Sequence, residues 1–355
     1  MSPRGRLVVP RPSADESGMW QASAVSDPKP NTAGGVRTWR SLEEVPADLG
    51  RTVVTVGNFD GVHLGHQHVV RRAREVATEL GVAHVVAVTF DPHPIAVLRP
   101  EHAPPTLTTV ETRVGLLGAA GVDDVLVVPF TREIAGWSPE RFVQEILVDT
   151  LHARAVVVGA NFRFGNRAAG DVATLRERGE RCDFETVGIA LDGGPQVWSS
   201  TYVRNCLAAG DVEGATEALG RPFTVRGEVV KGDQRGRELG YPTANVPTSG
   251  IHAAPADGVY AGWLRRLDVE EGPDAEPMPA AVSVGTNPTF TGERERRVES
   301  YVLDREDLEL YGTAVEVSFV ARLRGMVRFA SVDDLVATMA DDVARARLVL
   351  GAGPA

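Results

Sequence analysis

Thr52-Val53-Val54-Thr55-Val56-Gly57-Asn58-Phe59-Asp60-Gly61-Val62-His63-Leu64-Gly65-His66 decides the fold. Five β-branched residues predict a strand, a glycine-bearing turn follows, and a helical pattern takes over after His63. In open α/β sheets ligands gather at the carboxyl ends of the strands, and a helix N-terminus there offers unpaired N–H groups and a positive dipole end. The position therefore suits a phosphate, and the glycines let the backbone approach it closely. His63 and His66 stand three apart, so on a helical turn both imidazoles face one side and could donate to triphosphate oxygens in a nucleotidyl-transfer transition state. Zinc would need a third ligand. His68 is near, but no cysteine or His-Glu-x-x-His pattern accompanies it, so zinc ranks low.

Outward from this stretch, β-branched runs at 84–90, 125–128 and 155–158 alternate with helical patterns, the signature of a parallel sheet covered by helices. Thr108-x-x-Glu111 reads as a capping box, and Ser138-Pro139 caps a helix whose Phe142, Ile146 and Leu147 face the sheet while Glu140, Arg141 and Glu145 stay wet. After Arg221 the pattern changes to period two, as in Phe223, Val225 and Val229 or Val315, Val317 and Phe319, with further strands at 258–264, 280–285 and 298–303. A small antiparallel barrel is expected. The acidic, proline-rich stretch 267–279 reads as a hairpin loop. A closing helix at 332–350, capped by Ser331, carries an apolar stripe of Val332, Leu335, Val336, Met339 and Val343, with Asp342 and Arg347 on a solvated face. The expected division is a disordered extension at 1–36, an α/β domain at 37–220 and a barrel domain at 221–355.

Composition excludes several classes. The 37 basic and 48 acidic residues give a net charge of -11, so no global positive field attracts a nucleic-acid backbone and no nucleic-acid partner is expected. Apolar runs such as 85–88 and 155–158 fall far short of the ~20 residues that span a bilayer, so no membrane partner is expected either. Two cysteines, Cys182 and Cys206, cannot make a disulfide framework, and a cytoplasmic location fits them best. Monomer and homo-oligomer stay equally open.

Two further stretches carry chemistry. Ser199, Ser200 and Thr201 would begin a helix and offer three hydroxyls, with Arg204 one turn on, a set better suited to phosphate than to capping alone. Phe162 and Phe164 either line a pocket or sit in a core. The run from Lys231 to Asn245 concentrates glycines and cations but lacks the Gly-Lys-Ser/Thr ending of a P-loop. Thr243 and Asn245, two apart, would point the same way from an extended segment and could share an octahedral Mg²⁺ with nucleotide phosphates.

The His63-x-Gly65-His66 signature resembles that of the nucleotidylyltransferases. With Thr89-Phe90-Asp91-Pro92-His93-Pro94, Gly159-Ala160-Asn161-Phe162-Arg163-Phe164-Gly165 and Ser199-Ser200-Thr201-Tyr202-Val203-Arg204, in that order, it resembles the FMN adenylyltransferase module of bacterial bifunctional riboflavin kinase/FAD synthetases. Lys231-Gly232 through Gly236-Arg237, Pro242-Thr243-Ala244-Asn245, Val284-Gly285-Thr286-Asn287-Pro288-Thr289 and Val298-Glu299-Ser300-Tyr301 resemble the kinase module, and the likeness spans about 51–350. It implies a Rossmann-like, nucleotidylyltransferase-type α/β domain followed by a riboflavin kinase barrel with a C-terminal helix. It also implies riboflavin and FMN as substrates, ATP as co-substrate in both reactions, and Mg²⁺. By the same resemblance His63 and His66 contact ATP phosphates, with Gly57 and Phe59 on their loop, while Asn161 positions substrates and Ser199, Ser200, Thr201 and Arg204 bind phosphate. Lys231, Gly232, Gly236 and Arg237 belong to the kinase phosphate loop, Thr243 and Asn245 to the metal, and Glu299 is the general base on the ribityl 5′-hydroxyl. Tyr301 stands where many relatives carry histidine.

The leading expectation is thus a bifunctional enzyme that makes FMN from riboflavin and FAD from FMN. Alternatives are a protein with one working module, most plausibly the kinase, or a noncatalytic flavin- or nucleotide-binding regulator. A cytidylyltransferase fused to an RNA-binding barrel ranks last, since the barrel lacks a basic, aromatic-studded surface.

Overall fold

The four expected β-branched runs form strands and, with two further strands, make one sheet of six parallel strands: β1 (Arg37–Trp39), β2 (Thr52–Val56), β3 (His84–Asp91), β4 (Asp124–Pro129), β5 (Ala153–Gly159) and β6 (Glu185–Ile189). The computed structural model describes residues 35–190, 198–232, 239–248, 251–272, 274–288, 294–305 and 307–352, so residues 1–34 of the expected extension, and both Gly236 and Arg237, lie outside the described residues. Strand order is β1-β4-β3-β2-β5-β6. The chain builds from β2 toward β4 and then crosses to β5 on the other side, which makes the gap between the ends of β2 and β5 the topological switch point. Period two divides the strand residues between two cores. Val54, Val56, Val86, Val88, Val156 and Val158 enter one, and Val53, Val85, Ala87, Val125, Val127 and Val157 the other. Burial on both faces is why these strands read as continuous apolar runs.

The second sheet is antiparallel, ordered β7-β12-β9-β10-β11-β8 from β7 (Phe223–Glu228), β8 (Ala244–Thr248), β9 (Gly258–Arg266), β10 (Met278–Pro288), β11 (Arg294–Val302) and β12 (Ala314–Arg324). The Val230 N–H donates to the Asn245 carbonyl at 2.9 Å and brings the two outer strands together, so the barrel is nearly closed. β9 and β10 are an antiparallel pair, so a hairpin connection lies where expected, but Met278 and Pro279 of the expected 267–279 loop already belong to β10. Val203 and Leu207 of the helix Ser200–Ala209, and Val212, Ala215 and Leu219 of the helix Val212–Leu219, share one core with Phe223, Val225, Tyr260 and Phe319 of the barrel. The two halves are joined by a common apolar core and not by an open linker.

Three strands escaped the sequence reading: β1, β6 and β8. All three are outer strands in their sheets, where one flank pairs and the apolar signal is weak; β8 even carries Pro247, tolerated at an edge. The expected capping box is displaced by one residue. Thr109, not Thr108, caps the helix Val110–Ala119 by accepting the Thr112 N–H at 3.2 Å, because Thr108 is buried and occupied elsewhere. Ser138 and Ser331 cap as expected. On the C-terminal helix Val332–Leu350 the expected stripe is rotated: Asp342 and Ala346 are buried, Leu335, Val336, Met339 and Val343 are half-buried, and Val332 is exposed. Asp342 is not on a solvated face, since Arg324 of β12 meets its carboxylate with bonds of 2.7, 2.9 and 3.1 Å and supplies the counter-charge that burial requires. Arg347 pairs with Asp304 at 2.7 Å.

Candidate active sites

Residues 57–63 leave the end of β2 in a conformation that side chains disfavour: φ is +49° at Phe59, +83° at Gly61 and +42° at Val62. A β-branched residue in the left-handed region is strained and persists only where its surroundings over-determine it. Here four carbonyls are each held by a side chain from elsewhere. Thr89 Oγ1 donates to the Asn58 carbonyl at 3.0 Å, Ser200 Oγ to Asp60 at 2.8 Å, Arg221 to Gly61 at 2.8 Å and Gln67 Nε2 to Val62 at 2.9 Å. Phe59 folds back over Gly57, where a Cβ would lie 3.2 Å from the phenyl ring. A Cβ on Gly65 would stand 3.0 Å from His63 Cε1 and 3.4 Å from the Trp198 carbonyl, so that glycine lets the loop before the Ser200 helix approach the histidines.

His63 caps the first helix (Leu64–Leu80): its Nδ1 accepts the His66 N–H at 3.3 Å, which places the proton of a neutral ring on Nε2. The two imidazoles stack with centroids 3.6 Å apart, and Phe59 meets the His66 ring edge-on at 5.2 Å. Burial pushes the His63 imidazole down to about 4, the Asp60 carboxylate opposing and the Arg221 guanidinium adding to the shift. Burial, then His63 and Arg113, push His66 well below the ordinary histidine range. Both rings are neutral at physiological pH, so each carries one N–H group and no charge.

Asp60 organises the floor of the site. It is 1% exposed, and its carboxylate accepts the Leu107 N–H at 3.0 Å, the Thr108 N–H at 3.1 Å and the Thr108 hydroxyl at 3.2 Å. It is also ion-paired with Arg204, whose Nε donates to the Pro105 carbonyl at 2.7 Å. Arg113 lies 3.9 Å from the same carboxylate and donates to Thr89 Oγ1 at 3.1 Å.

Of the residues singled out from the sequence, His63, Ser200 and Arg204 thus come together around Asp60, with His66 stacked on His63 and Ser199 and Thr201 at the start of the Ser200 helix. Ser199 caps its helix by accepting the Tyr202 N–H at 3.1 Å, and Thr201 is exposed. Asn161 is exposed just past the end of β5, on the other side of the switch point. Phe164 is buried and stacks with Phe162 at 5.5 Å, which makes the pair core. Asp60, Thr89, Thr108, Arg113, Gln67 and Arg221 were missed. Only Asp60 had a local signal, as a lone carboxylate between Phe59 and Gly61 in the loop itself.

On the barrel, Glu299 of β11 stands opposite Asn245 of β8, and opposed residues share a face of the sheet. Asn245 is 6% exposed and donates through Nδ2 to the Thr243 carbonyl at 3.1 Å and hydroxyl at 3.3 Å, so these side chains do point the same way. Gly232 crosses directly above: a Cβ there would lie 2.7 Å from Asn245 Oδ1. Lys231 Nζ is 5.8 Å from the Tyr311 ring, and Tyr241 meets Tyr301 edge-on at 5.1 Å. No cluster of three or more His, Cys, Asp or Glu suited to a metal occurs among the described residues. The donors near Gly232 are instead neutral oxygens, the kind that complete the shell of a hard cation carried by phosphates.

A family model described as FAD synthetase matches residues 45–200, and one described as riboflavin kinase matches residues 219–350. The chain is 35% identical over 318 residues to the bifunctional riboflavin kinase/FMN adenylyltransferase of Escherichia coli, covering 89% of this chain and 97% of that protein. It is 38% identical over 311 residues to the protein of the same name from Pseudomonas fluorescens, covering 87% and 96%. Among solved structures, a chain described as a macrolide-efflux protein from Streptococcus pneumoniae aligns with a TM-score of 0.77 at 29% identity, covering 88% of this chain and 98% of that one. No helix among the described residues is long and apolar enough to cross a membrane.

Proposed function

This chain belongs to the bifunctional riboflavin kinase/FMN adenylyltransferase family, and from that premise we propose which of its residues carry each reaction. The enzyme phosphorylates riboflavin with ATP to FMN, and adenylylates FMN with ATP to FAD and pyrophosphate.

Adenylyl transfer belongs to the switch point. A phosphate oxygen of FMN attacks the α-phosphorus of ATP, the new O–P bond forms, and the bond to the β-phosphate oxygen breaks as pyrophosphate leaves. The FMN phosphate is already ionised, so the site needs in-line positioning and charge stabilisation more than a base. Neutral His63, with its proton on Nε2, and His66 donate N–H groups to the triphosphate, while Gly57, Phe59 and the N-terminus of the Ser200 helix line the approach, with Ser199, Ser200, Thr201 and Arg204 on the phosphates. Asn161 orients the substrates from across the gap.

Phosphorylation belongs to the barrel. An alcohol must lose a proton as it accepts the γ-phosphoryl group, and Glu299 takes it from the ribityl 5′-hydroxyl as ADP leaves. Lys231, Gly232, Gly236 and Arg237 hold the nucleotide phosphates. Thr243 and Asn245 fit Mg²⁺, because hard oxygens face a glycine cradle that a Cβ would fill. When bound there, the ion would offset the negative charge of the nucleotide phosphates. Two free thiols, Cys182 and Cys206, accord with a reducing cytoplasm.

The observation that carries this division is that the stacked His63/His66 pair stands at the start of the helix that follows β2 of the parallel sheet, whereas Asn245 and Glu299 are opposed on strands of the antiparallel sheet. Chromatography of flavins over time tests it, from riboflavin with ATP and Mg²⁺ and in parallel from FMN. The His63→Ala/His66→Ala enzyme should stop at FMN. Continued FAD synthesis by that variant would remove the histidines from the reaction.

A further inference from the structure

The adenylyl-transfer loop leans on a residue from outside the stretch matched to FAD synthetase. Arg221 lies within 219–350, the stretch matched to riboflavin kinase, yet its guanidinium donates to the Gly61 carbonyl at 2.8 Å. Its other hydrogen bond among the described residues goes to the Leu219 carbonyl at 3.4 Å. The junction 219–221 packs against the loop at several points. Gln67 Nε2 bridges the Val62 and Leu219 carbonyls at 2.9 and 3.0 Å. A Cβ on Gly61 would lie 3.4 Å from Leu219 Cδ2, and one on Gly220 would lie 2.7 Å from Leu64 Cδ2.

We propose that Arg221 is a positioning residue for adenylyl transfer: it clamps the strained loop 57–63 through the Gly61 carbonyl and sets a fixed cation on the loop that delivers His63. Both effects follow from placement. Gly61 and Val62 hold positive φ, and the bonds from Arg221 and Gln67 to their carbonyls fix the turn that delivers His63 to its capping position. Arg221 remains charged, since burial pushes it down only to about 10. Its charge favours the neutral ring of His63 and attracts a triphosphate at the loop. The kinase-matched segment thereby completes the other module's site, a coupling the division into two catalytic units does not by itself require.

The inference rests on the placement of adenylyl transfer at His63, and its test separates the two. In the full-length enzyme, Arg221→Met and Arg221→Gln should lower kcat for FMN to FAD by about tenfold or more and leave riboflavin phosphorylation unchanged. The groups facing His63 are Asp60, His66 and Arg221, with Arg113, Arg204 and His93 grouped around Asp60. Removing the Arg221 cation lifts the His63 pKa, so the acid limb of kcat/KM for FAD formation moves to higher pH. Arg221→Lys, which keeps the charge, should restore that limb. Arg221→Gln with a wild-type limb and wild-type rate overturns the proposal. So does a parallel fall of both activities in the Met and Gln variants, which would make Arg221 a general support of the junction. If instead the His63→Ala/His66→Ala enzyme still makes FAD, it is the placement at His63 that fails.

Discussion

The imidazoles of His63 and His66 stack with their centroids 3.6 Å apart and their planes 23° from parallel. Two protonated rings at that distance would repel, and burial already disfavours the charged form of each, so the stack is a neutral pair. With His63 held at about 4, kcat/KM for FAD formation should show no histidine limb near pH 6.5 and should fall only toward pH 4. A pH profile of FMN conversion checks this. The same shift has a stability consequence. In the unfolded chain His63 titrates near its ordinary value, so between about pH 6.5 and 4 the unfolded state binds the extra proton. Stability is full above that window and is lost on acidification through it, by up to about 3 kcal/mol. Urea unfolding of the wild type and His63→Gln at about pH 7.5, above the window, and about pH 4.5, near its lower end, should show the variant losing less on acidification.

Asp60→Asn should destabilise the protein by about 3 kcal/mol or more, because the change leaves the Arg204 guanidinium, 14% exposed, without its counter-charge. It should also abolish FAD formation, since the 107–108 turn and, through Arg204, the Ser200 helix are both held by the Asp60 carboxylate. Urea midpoints and flavin chromatography read the two effects, and a variant as stable as the wild type would contradict the hub role.

Glu299→Gln removes a proton acceptor while keeping the side-chain shape. Riboflavin phosphorylation should fall by about 100-fold or more, whereas added FMN should still be converted to FAD at the wild-type rate. Normal FMN production by this variant would take the base role away from Glu299.

Gly232→Ala puts a Cβ 2.7 Å from the buried Asn245 amide. The loop or the amide must move, and misplacement of the phosphate-binding parts should cost about tenfold or more in kinase kcat. Isothermal titration with Mg²⁺ and ATP should show weakened binding at the barrel, with FMN adenylylation untouched.

The fold was legible where side chains report on burial. The strand at 52–56, the period-two runs of the barrel and the caps at Ser138 and Ser331 all follow from local chemistry, because a strand buried on both faces must be apolar throughout and a helix start must satisfy its own N–H groups. The outer strands β1, β6 and β8 were not legible, since an edge is specified by its neighbour and not by its own residues. The C-terminal helix misled for the same reason. Its buried face is centred on Asp342 because Arg324, eighteen residues earlier, neutralises it.

The two architectures and the order of their motifs were readable from the residues alone, since both are carried by stretches a few residues long. Tertiary structure alone decided that Asp60 joins Arg204 across 144 residues, that Thr108 bonds that same carboxylate and leaves the helix cap to Thr109, and that Arg221 supports Gly61 from the far side of the junction. Those contacts link residues far apart in the chain, and a buried charge or carbonyl is satisfied by whatever the fold brings beside it. No local pattern encodes that partner.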